Sequence, residues 1–188
     1  ESGGTLILEM YPSAQLGTTE DLMEQAAAGE PVVSFVDAAT LSQFNAPDLG
    51  ILSGPFLFES VEQAATFAES DVFDELVAPL ADSNIHVLAL NWFDGARHIF
   101  GHEAYPEPAD LEGVKIRTPP SDTWVRTFEL LGAVPTTVAA AETYSALEQG
   151  VVEAAEGPIN GTAANKWEEQ ANQITLAGHF LLFLGFGL

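Results

Sequence analysis

"DLEGVKIRTPPSDTWVRTFELLGAVPTTVAAAETYSALEQGVVEAAEGP", residues 110–158, is the stretch whose reading decides the fold. Val114 to Arg117 is a short apolar run, and Pro119-Pro120 stops it because proline fixes φ and has no N–H to give a ladder. Ser121 offers an N-cap, and Trp124, Phe128 and Leu131 then recur at helical spacing up to Gly132. "AVPTTV" reads as a second strand, Glu142 to Gln149 as a helix closed by Gly150, and "VVEAAE" as a third strand. Such alternation predicts an α/β fold with a parallel or mixed sheet flanked by helices. Ligands of such sheets gather just beyond the carboxyl ends of strands. Arg117 stands at one of those ends.

The same alternation extends outward on both sides. Thr5 to Tyr11 places Leu6, Leu8 and Met10 on one face and predicts a strand. A helix is expected from its N-cap Thr18, with Glu20 and Asp21 in the first turn, to Gly29. Val32 to Asp37 is a continuous β-rich run of the kind buried on both faces. Ser60 and Gln63 form a capping-box pattern, and a second helix begins near Ser70 and ends or kinks at Pro79. Ile85 to Trp92 reads as a strand. After the block come a helical stretch around Thr162 to Gln170 and two strands, "QITLA" and "FLLFLGF".

Bulk composition narrows the classes of partner. The chain has 188 residues, 47% hydrophobic and 18% charged, which is enough apolar material for one large domain or two small lobes. No apolar run approaches the ~20 residues that span a bilayer, and no signal peptide is visible at Glu1. With 28 acidic residues against 5 basic ones, the net charge of −23 excludes general binding to nucleic acid or to an anionic membrane. That charge fits either a surface for cationic partners or an acidic shell suited to high salt, where the Debye length falls to ~3 Å at 1 M. The absence of cysteine excludes disulfides and thiolate metal sites.

Few constellations carry chemistry. "HIFGHE" supplies His98, His102 and Glu103, which resembles half of a zinc site, but Gly101 and the β-prone Ile99-Phe100 argue against the helix that would put both histidines on one face. Carboxylate pairs such as Glu153 and Glu156 are expected by chance at this acidity, and there is no phosphate loop or nucleophile elbow. Catalytic residues, metal and cofactor are therefore not expected. The three arginines are more informative. Arg126 lies off the buried stripe of its helix, whereas Arg97 and Arg117 sit in apolar strand segments. Each is either ion-paired to a carboxylate of the protein or set to grip an anion with two parallel hydrogen bonds.

At this point a resemblance enters. Residues 110–158 resemble the DctP family, the extracytoplasmic solute-binding proteins of tripartite ATP-independent periplasmic (TRAP) transporters, whose pattern runs D-L-x-G-x-K-I-R-x-P, then L-G-A-x-P-T, then E-x-Y-x-A-L-x-x-G-V-V-D-G-x-E. "QLGTTEDLMEQAAAGEPVVSFVDAATLSQF", "GPFLFES" and "NWFDGARHIF" fit too. The resemblance implies a two-lobed flytrap, truncated at both ends relative to the family, with lobe I over 1–94, lobe II over 95–182 and a strand over 183–188 returning to the hinge. It implies a periplasmic, non-enzymatic receptor that delivers a small carboxylate to TRAP permease subunits without entering the membrane. By the same resemblance Arg117 is the carboxylate-binding arginine and Arg97 a second ligand-facing one. Phe56, Trp92, Trp124, Asp37 and Tyr144 would wall the pocket, though Trp124 and Tyr144 could equally be core. Gly157 stands where the family commonly has a ligand-contacting asparagine. A zwitterionic solute such as ectoine and a sensor domain with a signalling partner remain open as alternatives.

Overall fold

A computed structural model of the chain describes residues 3–12 and 15–188. The elements follow the alternation read from the sequence. Helix α1 (Thr19–Ala27) begins at Thr18, whose hydroxyl accepts from the Asp21 N–H while the Asp21 carboxylate accepts from the Thr18 N–H. Strand β1 (Ser34–Asp37) leads directly into the short helix α2 (Ala38–Leu41), which Asp37 caps. Helices α3 (Val61–Ala68) and α4 (Asp71–Val77) are capped by Ser60 and Ser70, and Pro79 turns the end of α4 into a 3-10 segment.

Two expectations are corrected. Residues 5–11 form no strand: Leu6, Leu8 and Met10 are all largely exposed, and the ladders of the sheet do not include the segment. Alternation gives a run a face, but it does not by itself set that run into the register of a ladder. Likewise β1 is not buried on both faces. Ser34 and Val36 point inward, while Phe35 is exposed.

Strand β2 (Val87–Gly101) is far longer than the sequence implied. It passes a register shift between Phe93 and Ala96, where Gly95 adopts φ +88°, and so carries the chain from one half of the sheet into the other. The remaining elements are β3 (Lys115–Thr118), α5 (Asp122–Leu130), β4 (Val134–Thr137), α6 (Thr143–Glu148), β5 (Ala154–Pro158), α7 (Ile159–Ala164), β6 (Gln173–Thr175) and β7 (Leu181–Gly187). Among the described residues seven strands make one sheet in the order β1-β7-β2-β5-β3-β4, with β6 also on β2. The β3 pairs with β4 and β5 are parallel, and all others are antiparallel.

Three apolar clusters hold this frame. Met23, Val36, Leu41, Leu80 and Phe183 pack under the β1-β7 half. In the other half, Ile99, Ile116, Trp124, Phe128 and Ala154 form one cluster, and Phe100, Leu147, Ala155 and Trp167 form another. Consecutive residues Ile99/Phe100 and Ala154/Ala155 belong to different clusters because side chains alternate across a strand. That alternation also sorts the two buried arginines.

Candidate ligand-binding site

Arg117 is the third residue of β3 and pairs in parallel register with Ala155 of β5, so it shares the face of Ala155. Arg97 of β2 stands opposite Pro158, and Ile99 stands opposite Glu156, which puts Arg97 and Glu156 together on the other face. The two guanidiniums therefore approach Glu156 from opposite sides of the sheet, at the carboxyl ends of β3 and β5.

Glu156 is fully buried, Arg117 is 3% exposed and Arg97 7%. Arg97 grips the Glu156 carboxylate with Nε and Nη2, both at 2.6 Å, a bidentate pair, and Nη2 also reaches the Glu156 carbonyl at 3.3 Å. Arg117 donates from Nε to the Val138 carbonyl at 2.8 Å and from Nη1 to the Glu156 carbonyl at 3.4 Å. Its Nη1 stands 3.8 Å from the Glu156 carboxylate. No hydrogen bond to a described residue uses Nη2 of Arg117 or Nη1 of Arg97. Each guanidinium lies against an indole, Arg97 at 5.7 Å from Trp124 and Arg117 at 5.4 Å from Trp167.

The electrostatics follow from the geometry. Burial pushes the Glu156 carboxyl up, but the Arg97 charge, with contacts from His179 and Arg97, outweighs it and holds the group at about 2. Burial pulls Arg117 down to about 10, with Glu156 opposing that fall and Arg97 adding to it. His179 Nε2 stands 3.5 Å from Glu156 without a well-formed hydrogen bond. Two cations share one carboxylate, so one positive charge is left over in a nearly dry place.

Beside this cluster opens a cleft of about 390 Å³, counted with the solvent at its mouth. It is lined by Arg97, Trp124, Leu182 and the Pro119-Pro120-Ser121 turn that leads into α5, together with Asp37, Thr40 and Glu20. The Ser121 hydroxyl makes no capping bond to the first N–H groups of α5. The indole N–H of Trp124 is buried without a partner. The lining thus combines the unpaired indole N–H of Trp124 and the Arg97 guanidinium with the carboxylates of Asp37 and Glu20. Burial raises the Asp37 carboxyl, the hydrogen bonds from Thr40 oppose this, and the charge of Glu20 adds to the rise.

The structure thus brings Arg97, Trp124 and Asp37 to the cleft, whereas Arg117 reaches Glu156 from the other face of the sheet and, like Gly157, is not among the residues that line it. It does not bring Trp92, Phe56 or Tyr144 to the cleft. Trp92 is 58% exposed and packs edge-on to Phe35 with Phe186 nearby, and Phe56 is exposed at a positive-φ turn. The Tyr144 hydroxyl donates to Glu169 and accepts from Gln170. An asparagine at position 157 has no room, because a Cβ there would stand 2.9 Å from the Trp167 ring. His98 lies in β2 and accepts the Gly178 N–H, so it and His102 share no helix.

Sequence reasoning missed Glu156, Glu20 and Trp167. Glu156 had a signal: a lone charge between Ala-Ala and Gly-Pro in a strand of small residues calls for a buried partner. Glu20 and Trp167 had none, since their neighbours come from distant elements.

A mixed sheet with a buried arginine pair and a cleft near its strand ends is the arrangement in which α/β binding folds hold small ligands. The profile described as "Bacterial extracellular solute-binding protein, family 7" matches residues 1–186, and the chain belongs to that family. It is 30% identical over 177 residues to the 2,3-diketo-L-gulonate-binding periplasmic protein YiaO of Escherichia coli, covering 94% of this chain and 53% of that protein. Among solved structures, it superposes with TM-score 0.89 on a TRAP periplasmic solute-binding protein from Ochrobacterium anthropi with bound L-fuconate. That pair is 37% identical, covering 98% of this chain and 62% of the other. A TRAP solute-binding protein from Xanthobacter autotrophicus with bound β-D-galacturonate gives TM-score 0.91 at 27% identity, covering 99% and 62%. The chain spans about half the length of the curated relatives it matches. Among the described residues, no helix is long and apolar enough to cross a membrane.

Proposed function

We propose that the whole protein is a periplasmic receptor that captures a small organic acid and delivers it to the membrane permease of a TRAP transporter. The observation that carries this reading is the surplus charge of the Arg97–Glu156–Arg117 cluster. A buried, uncompensated cation costs several kcal/mol, and an incoming carboxylate that pairs with it recovers part of that cost. Arg117 is the primary anion ligand, using the free Nη2; Arg97, whose fork is occupied by Glu156, contributes Nη1 and holds the cluster together. The first N–H groups of α5, which Ser121 does not cap, add donors for the same anion. Relatives with bound β-D-galacturonate, L-fuconate and L-malate support the class of ligand.

In this reading residues 1–94 and 95–182 form two lobes that shut on the ligand, with residues 183–188 returning to the first. Closure excludes water and strengthens the ion pair. The test is calorimetry on the full-length protein with D-galacturonate, L-fuconate and L-malate. At least one acid binds the parent protein, and Arg117→Lys weakens that binding by about 1.5–3 kcal/mol, since lysine keeps the charge and loses the fork. Unchanged affinity in the lysine variant overturns the assignment.

A further inference from the structure

We infer that Trp124 is a hydrogen-bond donor to the ligand as well as a wall of the cleft: in the bound state its indole N–H gives a bond to an oxygen of the captured acid. The inference rests on the receptor reading and deepens it. Its basis is a donor without an acceptor. The indole N–H is buried with no hydrogen-bond partner among the described residues, and the ring that carries it is 2% exposed and lines the cleft. A buried donor left unpaired is costly, and a folded protein that keeps one calls for a reason.

Packing gives no such reason. Phe180 stacks on the indole at 4.3 Å with the planes 30° apart, and the Arg97 guanidinium stands over the ring at 5.7 Å. Both contacts use the faces of the ring, and a phenyl ring in this place would offer the same faces with no polar atom to satisfy. What the nitrogen adds is one donor. The protein supplies no acceptor for it. Asp37 and Glu20 line the same cleft, yet neither takes the bond, and the Asp37 carboxylate is already engaged by the Thr40 N–H at 2.8 Å and the Thr40 hydroxyl at 3.3 Å. The acceptor therefore comes with the ligand. The other unpaired indole, that of Trp167, belongs to a different apolar cluster and is not among the residues that line the cleft. Water does not reach the Trp124 N–H in this structure, so the bond belongs to the complex: the acid settles beside Arg97 and the ring turns its edge toward it. Carboxylate and hydroxyl oxygens satisfy a donor placed in this way, whereas an ammonium group leaves it unpaired.

The experiment compares the full-length protein with its Trp124→Phe variant, which keeps a stacking ring and removes the N–H. Calorimetry with D-galacturonate, L-fuconate and L-malate gives the affinities, thermal unfolding gives the stability, and proton–nitrogen NMR follows the indole N–H. The acid that binds the parent protein most tightly is expected to lose at least about fivefold in affinity to the variant. Tm is expected to stay level or rise, because the unpaired donor leaves with the nitrogen. The Trp124 indole signal of the parent protein is expected to move downfield as the acid is added. That signal is assigned in the parent protein by its contacts to the Phe180 ring, so this arm does not depend on the variant folding. An indole signal that stays in place when the acid binds, or an affinity unchanged within twofold in the variant, overturns the inference while the receptor reading stands. Failure of all three acids to bind the parent protein overturns both.

Discussion

Glu156→Gln removes the one negative charge that two buried guanidiniums share. The variant is expected to lose about 3–5 kcal/mol of stability at pH 7, the usual effect of breaking a buried ion pair from one side. The pH dependence has a definite sign. The Glu156 carboxyl is held at about 2, below its ordinary 4.5, so its contribution is complete above that ordinary value and vanishes as pH falls toward 2. Urea titrations of parent and variant at pH 7, 4 and 3 should therefore show the largest gap at pH 7 and a shrinking one between about pH 4.5 and 2. A gap that is constant across that range contradicts the ion-pair account. Arginine was readable from sequence as a chemical type in an apolar strand, but not its partner: Arg97 and Glu156 are 59 residues apart and meet only through the β2–β5 register.

Caps and strand ends separate what each element reveals about itself from what its neighbours impose. Thr18 closes a complete reciprocal cap on α1, whereas Ser121 makes no side-chain bond at α5. Thr18→Ala is thus expected to cost about 1 kcal/mol, lowering Tm by roughly 2–4 °C, while Ser121→Ala changes stability by only a few tenths of a kcal/mol. Parallel thermal scans of the two variants check the contrast, and an equal loss in both would show that Ser121 caps after all. Elements whose signals are local were legible: α1, α4 and α5 lie where capping residues, apolar spacing and glycine stops put them. Residues 5–11 and β2 were misread for one reason. Strand extent depends on partners, and β2 continues past the point where its own composition stops looking like a strand because β5, β6 and β7 all pair with it.

Across the entire chain the dominant long-range term is self-repulsion from a net charge of −23. Raising KCl from 0.1 to 1 M shortens the Debye length from ~10 to ~3 Å, so Tm should rise by at least roughly 2–4 °C, the equivalent of about 1 kcal/mol for a chain of this size. A flat or falling Tm over that range would mean that the acidic surface does not limit stability. The buried cluster should be far less responsive, because ions do not enter it. Family membership and the α/β architecture were legible in residues 110–158; the way the cleft is furnished was not, since its walls come from five separate segments.

One consequence of the kink in β2 concerns how the buried ion pair is aligned. Gly95 twists the strand in a way other residues tolerate poorly, and Arg97 follows two positions later on the same backbone. The strand behaves like a bent tiller: its angle at that point aims the guanidinium, while the packing on either side holds the shaft. A change of bend at Gly95 would thus misalign the Arg97 fork on the Glu156 carboxylate well before it loosened the body of the protein.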